Sequence, residues 1–328
     1  MDKIDFKDKK ILYELDIDCR QSFRAIGRKV GLSKDIVSTR IKKLENEGII
    51  KNYFTSIDSS RLGYISFRFY LSFQNTTPDI EKEIIDYFIR NKYTWVVQSL
   101  KGKYDLVVCI WVKDINDFYV FWEKTLEKYH KFFQKQIFSV YFQLYTYKIL
   151  HLLLNDNNKI EKIRYEIAGG GKIIKTDEID LKILSLLAKN ARIPTIEISK
   201  KLKLASTTVK KRINNLIKNG IIQGFRFLFD PSKLDYQMYK ADINLVDYSK
   251  KKEIINYISK NPHLLLLTKS AGYADLELDF VVKNVEQFHD IIKDLIKKFP
   301  NSIKNYDYFY ESNLHKVVYI PQELEIYG

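Results

Sequence analysis

Lysine, arginine and hydroxyl side chains are concentrated in one stretch near the start of the chain, and a closely similar stretch occurs again in the second half. The first copy carries Lys34, Ser38, Thr39, Arg40, Lys42 and Lys43, and the second carries Ser206, Thr207, Lys210, Lys211 and Arg212. Lysine and arginine bind phosphates, and short hydroxyl side chains reach the edges of bases. These residue types therefore indicate recognition of a nucleic acid.

The spacing of apolar residues within the first copy predicts the helix that positions these side chains. Val37, Ile41 and Leu44 form one apolar stripe of an α-helix. Ser33 precedes the stripe as a capping residue, and Gly48 follows it where a left-handed residue ends a helix. The corresponding residues of the second copy are Val209, Ile213, Leu216 and Gly220. A self-similarity of this length, without a gap, predicts a tandem repeat.

Several differences between the two copies affect helix capping and charge. Ala205 replaces the capping Ser33, so we expect Ser206 or Thr207 to cap the second helix. Asn214 and Asn215 stand where the first copy has lysines. Arg40 and Arg212 each lie beside an apolar stripe position, so each either contacts DNA or supports the fold of its own unit.

Two further helical patterns precede each basic helix, and a strand-like run follows it. Three short helices, the last with a basic outer face, followed by a strand, are typical of a winged helix-turn-helix. A solvated basic helix is the plainer alternative, because charged helix faces are usually only that. Lysine and arginine outnumber acids 13 to 10 in residues 1–60 and 11 to 5 in residues 176–232. The repetition of the whole pattern favours DNA binding.

Composition argues against several other classes of function. The formal net charge of +14 indicates a polyanionic partner or an anionic surface. Two cysteines are too few for a disulfide framework, and the five histidines have neither metal-ligand nor catalytic-triad spacing. No secretory signal or membrane span is evident, so we expect a cytoplasmic, nucleoid-associated protein. We expect no metal, no cofactor and no enzymatic activity.

After each basic unit the periodicity changes to βαββαβ, the ferredoxin-like order. The predicted domains are 1–60 and 176–232 (winged helix-turn-helix), 61–150 and 233–322 (ferredoxin-like), and 151–175 (linker). The linker contains a glycine run before Lys172 that lacks the spacing of a phosphate-binding loop. The predicted fold class is therefore α+β, with the same pair of domains occurring twice in tandem.

Each half resembles one subunit of the Lrp/AsnC family of transcription regulators, and the resemblance covers nearly the whole chain. The residues that carry it are Asp8, Ile11, Leu12, Arg20, Gly31, Leu32, Ser33, Val37, Arg40, Ile41, Leu44, Glu45, Gly48, Ile49, Ile50, Gly102, Tyr104 and Asp105, most of which recur in the second half. The resemblance implies a DNA-binding regulator whose two ferredoxin-like sheets cover each other as an intramolecular pseudo-dimer. It also implies that strands Ile49–Ile57 and Ile221–Phe229 pair, and that the chain self-associates.

The resemblance further implies a small-molecule effector, such as an amino acid, near the glycine turn between the second and third strands. The matching residues are Gly102, Tyr104, Asp105, Gly272 and Asp275. The alternative is that these residues only build a hairpin turn, with glycine supplying a positive φ and aspartate a local hydrogen bond.

Two other functions stay open. Some Lrp-like paired proteins are sirohaem decarboxylases, which would need a basic pocket lined by histidine or tyrosine. The second strand of each half, where such residues would be expected, reads Trp95-Val96-Val97-Gln98 and Leu265-Leu266-Leu267-Thr268. This makes an enzyme the less favoured alternative. An architectural DNA-binding protein with little sequence preference is the other one.

Overall fold

The computed structural model describes residues 4–154 and 165–325, and it divides into two halves with the same order of elements. The first half contains, in order, α1 (Phe6–Ile17), α2 (Phe23–Val30), α3 (Lys34–Asn46), β1 (Ile50–Ile57), β2 (Ile65–Phe73), α4 (Pro78–Arg90), β3 (Thr94–Gly102), β4 (Leu106–Val112), α5 (Ile115–Tyr129) and β5 (Phe133–Tyr147). We call the unit from α1 to β1 head 1. The remaining elements have the predicted order βαββαβ.

The second half repeats this order after a short strand. Its elements are β6 (Tyr165–Ala168), α6 (Glu178–Lys189), α7 (Thr195–Leu202), α8 (Ser206–Lys218), β7 (Ile222–Phe229), β8 (Gln237–Leu245), α9 (Lys251–Ile258), β9 (Leu264–Gly272), β10 (Leu276–Val282), α10 (Val285–Lys298), β11 (Ile303–Val317) and α11 (Gln322–Glu325). We call the unit from α6 to β7 head 2. Among the described residues, no helix has the length and apolar character needed to cross a membrane. The predicted tandem α+β fold is confirmed.

Helix capping in the heads agrees with the sequence except at one position. The Ser33 hydroxyl accepts a hydrogen bond from the Ile36 N–H at 3.3 Å, and Gly48 has a φ of +71°. The N-cap of α8 is Ala205, and no side chain caps this helix. The expectation that Ser206 or Thr207 caps it is wrong, because Ser206 is already the first residue of the helix. The hydroxyls of these residues are therefore not used as caps.

The two ferredoxin-like sheets close into one barrel. Its strands follow the order β2-β4-β3-β11-β8-β10-β9-β5, and β5 also pairs with β2. The two halves therefore meet along two antiparallel seams, β3 with β11 and β5 with β9. We expected the sheets to cover each other, and the edge pairing also removes the exposed sheet edges. The intramolecular pseudo-dimer is thus held by backbone hydrogen bonds as well as by packing.

Two of the predicted turn glycines lie on these seams. Gly102 has a φ of +139° and pairs with Phe309, and Gly272 has a φ of +132° and pairs with Ser139. A Cβ atom at Gly272 would lie 2.4 Å from the Phe138 carbonyl oxygen. Both positions favour glycine because φ is positive, and at Gly272 the backbone of the other half also approaches too closely for a side chain.

The segment predicted to be a linker is partly structured. Residues 165–168 form β6, which pairs with the end of β5. The Gly169 N–H donates to the Asp58 carboxylate at 3.0 Å. Residues 155–164 of the predicted linker lie outside the described residues.

Side chains alternate between the two faces of each barrel strand. On β2, Phe67 and Phe69 pack against the side chains of α4 and α5, whereas Tyr70 packs inside the barrel against Tyr104 and Phe309. This alternation is the ordinary period of a strand, so residues two apart share a face. It places Arg68 on the interior side as well, where it is buried.

The barrel interior contains a charged cluster that sequence analysis did not identify. We define the charged cluster as the buried residues Arg68, Lys240, Asp242, Glu277 and Asp279. The Lys240 ammonium lies 3.3 Å from Glu277, 3.3 Å from Asp279 and 3.6 Å from Asp242, and Arg68 forms an ion pair with Glu277. A signal was present in the sequence, because charges two residues apart on two apolar strands must share one face.

The pKa values of two carboxyls at this cluster are raised. Burial raises the pKa of Asp242 despite the nearby cations Lys240 and Arg68. Burial, followed by the neighbouring Asp279, raises the pKa of Glu311 well above its usual value. Each of these carboxyls therefore takes up a proton at a higher pH than it would in water.

Replacing Asp242 with asparagine is expected to change the pH dependence of stability. A carboxyl with a raised pKa binds more protons when folded, so the wild type loses stability as pH rises from about 3.9, the unfolded pKa, toward the folded pKa. The asparagine variant lacks this loss, and its stability relative to the wild type should increase by up to about 1.4 kcal/mol per pH unit in that window. Urea unfolding at a series of pH values measures this difference. Parallel stability curves would contradict the assignment.

Candidate nucleic-acid interface

The predicted DNA-contacting side chains lie mostly on the outer faces of α3 and α8. Those exposed to solvent are Lys34, Thr39, Lys42, Lys43, Thr207, Lys210 and Lys211, and Ser38 and Ser206 are half-buried. The stripes Val37, Ile41, Leu44 and Val209, Ile213, Leu216 are buried on the opposite faces. Each head therefore presents one basic helix with its polar face free to enter a major groove.

The two arginines beside the apolar stripes are engaged within their own heads. Arg40 forms ion pairs with Asp5 at 2.7 Å and Asp8 at 2.8 Å. Arg212 forms the equivalent pairs with Asp177 and Asp180, each at 2.8 Å. These contacts hold the basic helix against the start of the first helix of the head, which favours the supporting role for both arginines.

The heads are joined to each other by a two-stranded sheet. Strands β1 and β7 pair antiparallel, from Ile50 opposite Phe229 to Ile57 opposite Ile222. This is the pairing that the family resemblance implied. Because each strand follows directly from a basic helix, the sheet fixes the distance and angle between α3 and α8.

Two reciprocal arginine contacts also connect the heads. Arg20 in head 1 donates to the backbone carbonyls of Ala191 and Ile193 in head 2, the latter at 3.1 Å. Arg192 in head 2 donates to the carbonyls of Cys19 and Gln21 in head 1. From the sequence, Arg20 was recognised only as one of the residues that carry the family resemblance. Its role was not visible, because its partners lie in the other half of the chain.

The heads are attached to the barrel by different chemistry. The buried Asp16 carboxylate of α1 accepts from the Ile149 N–H, just beyond β5, at 2.9 Å. Its ion-pair partner Arg226 of head 2 donates to the Tyr147 carbonyl oxygen of β5 at 3.1 Å. The position equivalent to Arg226 in head 1 is Phe54, which stacks on Tyr319 with ring centroids 3.8 Å apart. One attachment is thus ionic and the other aromatic, so the two heads are not equivalent.

The predicted effector residues lie at two adjacent hairpin turns. Tyr104 is buried, with its ring 6.0 Å from Tyr273 of the other turn. The Asp105 carboxylate accepts from the Phe73 N–H and the Asp275 carboxylate from the Leu245 N–H, each at 2.7 Å. Both aspartates therefore have the structural role given by the alternative reading. The structure also brings the two turns, one from each half, together.

Models of two protein families match the heads. The AsnC-type helix-turn-helix domain matches residues 1–45, and a winged helix-turn-helix DNA-binding model matches residues 176–223. The HTH-type transcriptional regulator FL11 of Pyrococcus horikoshii is 32% identical over 127 residues, covering 39% of this chain and 83% of that protein. The regulator LrpA of the same organism is 33% identical over 130 residues, covering 39% of this chain and 91% of that protein.

A solved structure resembles the whole chain. The siroheme decarboxylase NirDL matches with a TM-score of 0.65 and 13% identity, covering 98% of this chain and 97% of that one. The same decarboxylase in complex with an iron-uroporphyrin III analogue matches with a TM-score of 0.64. At this identity the likeness is one of fold, and it extends through both heads and the barrel.

This whole-chain likeness contradicts the prediction that the chain is not an enzyme. A siroheme decarboxylase shares the fold of this chain over 98% of its length. The prediction rested on the residue types of two short strands and on the spacing of the five histidines. It was wrong because the overall fold depends on strand pairing along the whole chain, and a short local motif does not show that pairing. A decarboxylase has the same overall fold.

Proposed function

The chain belongs to the Lrp/AsnC family, and from this premise we propose that it is a transcription regulator that binds double-stranded DNA with both heads. The observation that carries the proposal is the rigid connection between two exposed basic helices. The β1–β7 sheet and the reciprocal arginines hold α3 and α8 in one orientation. Paired helices of fixed geometry can enter successive major grooves on one side of the duplex.

The preferred DNA site follows from this geometry. Two grooves on one side of B-form DNA are about 34 Å apart, or a multiple of that distance. The outer faces of the helices differ, because Lys42 and Lys43 of α3 correspond to Asn214 and Asn215 of α8. We therefore propose an imperfect palindrome as the site, with one half-site for each head.

The test is selection of bound fragments from random duplex DNA with the full chain at two salt concentrations. Enrichment of an imperfect palindrome at both concentrations supports the proposal. Binding without enrichment, with a steep loss at higher salt, would instead support an architectural protein. Failure to bind DNA at either concentration would contradict both functions.

The second head is expected to contribute more to DNA affinity than the first. Head 2 has the larger excess of cations, and Lys43 of head 1 already lies 3.8 Å from Glu47. Replacing Lys210 and Lys211 with alanine should therefore weaken binding roughly tenfold, and more than the same change at Lys42 and Lys43. Fluorescence anisotropy with one duplex compares the two variants. Equal losses, or a larger loss from head 1, would contradict this order.

We also propose that the two adjacent turns form the place where a small effector, such as an amino acid, acts. The supporting observation is the meeting of Tyr104 and Tyr273, one from each half, beside glycines that allow close approach. A thermal-shift screen of the amino acids with wild type and Tyr273→Ala is the test. A stabilisation that disappears in the variant supports the proposal, whereas equal stabilisation of both proteins contradicts it.

A second candidate function is decarboxylation of a tetrapyrrole, which the whole-chain fold favours. A substrate with carboxylates would need cations, and Arg68 and Lys240 supply them inside the barrel. Both cations are paired with acids of this chain, so a substrate would have to replace those partners. Incubation with sirohaem, followed by mass spectrometry of the tetrapyrrole, tests this candidate. Loss of carbon dioxide from sirohaem supports it, and recovery of unchanged sirohaem contradicts it.

A further inference from the structure

A polar groove lies beside the basic helix of head 2. It has a volume of about 440 Å³ and runs between one flank of α8 and the segment that leads into α6. We call it the linker groove. The residues that line it and are used below are Lys175, Thr208, Lys211, Arg212, Asn215 and Asn219. Because Lys211 also belongs to the outer face of α8, the groove is continuous with the proposed DNA-contacting surface.

The segment that forms the outer wall of the groove is fixed by the first half of the chain. The Ile174 N–H donates to the Arg61 carbonyl oxygen at 2.8 Å. The Arg61 guanidinium lies against two glycines, so that a Cβ atom added at Gly171 would be 2.7 Å from its Cζ and one at Gly220 3.2 Å from its Nε. An ion pair with Asp58 at 3.2 Å holds the guanidinium in place. Residues 171–174 therefore have one position alongside α8.

The groove is suited to an anion. Lys175 on the outer wall and Lys211 on α8 are both exposed cations that line the groove. Lys172 is a further exposed cation, three residues before Lys175 on the same segment and outside the lining itself. Thr208, Asn215 and Asn219 supply neutral hydrogen-bond donors. The acid in the lining, Asp180, is neutralised by Arg212 at 2.8 Å. This combination of two cationic walls and neutral donors matches the contacts that proteins make to DNA phosphates.

The equivalent flank of head 1 has a different character. The residues of α3 that correspond to Thr208, Lys211, Asn215 and Asn219 are Ile36, Thr39, Lys43 and Glu47. Ile36 is apolar and exposed, and the Glu47 carboxylate forms an ion pair with the Lys43 ammonium. A phosphate would therefore find fewer donors and a nearby acid on this flank.

We propose that the linker groove binds the DNA backbone beside the major groove entered by α8, and that the connecting segment thereby becomes a DNA-contacting element of head 2 alone. This proposal rests on the DNA binding proposed above. Its consequence is an asymmetric complex, in which phosphate contacts extend further along the duplex on the side of head 2. Lys172 and Lys175 are the residues that add these contacts.

The experiment compares the full-length wild type with the double variant Lys172→Ala/Lys175→Ala on a labelled duplex of random sequence, several helical turns long. Affinity is measured across a range of salt concentrations. Each lost phosphate contact reduces the slope of log affinity against log salt by about 1, so the double variant should lose about 2. The matched control is Lys297→Ala/Lys298→Ala, which removes the same charge from the exposed face of α10 and should leave the slope unchanged.

A hydroxyl-radical footprint on a selected site supplies the second measurement. Protection should extend beyond the half-site of head 2 in the wild type and should shrink on that side in the double variant. A slope and footprint equal to those of the wild type would overturn the linker-groove proposal while leaving DNA binding intact. An equal loss of slope in the α10 control would also overturn it, because the effect would then be one of net charge. Absence of wild-type binding would instead refute the proposed function itself.

Discussion

Replacing Lys240 with methionine is expected to lower the free energy of unfolding by about 3–5 kcal/mol. Lys240 is 2% exposed and lies within 3.6 Å of three carboxylates, Asp242, Glu277 and Asp279. Methionine has a similar length but no charge, so these acids would remain buried with one cation fewer. Removing one partner of a buried pair costs far more than the pair contributes, because an uncompensated charge stays in the interior.

Urea unfolding at neutral and at acidic pH measures this effect. The loss should shrink at acidic pH, because Asp242, whose pKa is raised by burial, can then take up a proton instead of needing the cation. The control is Lys250→Met, which breaks an ion pair of 2.9 Å with Glu253 on the exposed surface. Surface pairs contribute at most about 1 kcal/mol, so this variant should be close to the wild type. Equal free energies of unfolding for the two variants would show that the acids of the charged cluster do not need the Lys240 cation for stability.

Replacing Arg20 and Arg192 together with methionine is expected to weaken binding to a two-half-site duplex by about tenfold to a hundredfold. Two linked binding units gain 10²–10⁴ in avidity when their geometry matches the target. The reciprocal contacts from Arg20 to Ile193 and from Arg192 to Gln21 help to set that geometry. Without them, the β1–β7 sheet remains as the connection between the heads, and part of the avidity is lost.

The spacing of the half-sites distinguishes a loss of geometry from a loss of fold. The wild type should discriminate strongly between duplexes whose half-sites are one base pair closer or further apart, and the double variant should discriminate less. Arg90→Met, at a highly exposed position on α4, is the control and should behave as the wild type. Affinity lost equally at every spacing, or a collapse of helical content, would contradict a positioning role for the two arginines.

Much of the fold could be predicted because its determinants are local. The stripe Val37, Ile41 and Leu44 and the cap Ser33 define α3 within a dozen residues, and the second copy confirms the pattern through repetition. Ala205 shows the limit of such reasoning. The missing cap suggested that a neighbouring hydroxyl would replace it, but α8 begins directly after Ala205, just as α3 begins directly after Ser33, and has no side-chain cap.

The sequence by itself determined that the chain contains two basic helix-turn-helix heads and two βαββαβ domains, because helix and strand periods are properties of neighbouring residues. Only the tertiary structure decided which residues of those elements contact each other. Gly102 meets Phe309, Arg68 meets Glu277, and Arg20 meets Ala191. Each pair joins residues more than 150 positions apart, and strand pairing and barrel closure select them. The motifs of the two halves predicted the pseudo-dimer and left a decarboxylase as an alternative, but only strand pairing along the whole chain produced the fold shared with that enzyme.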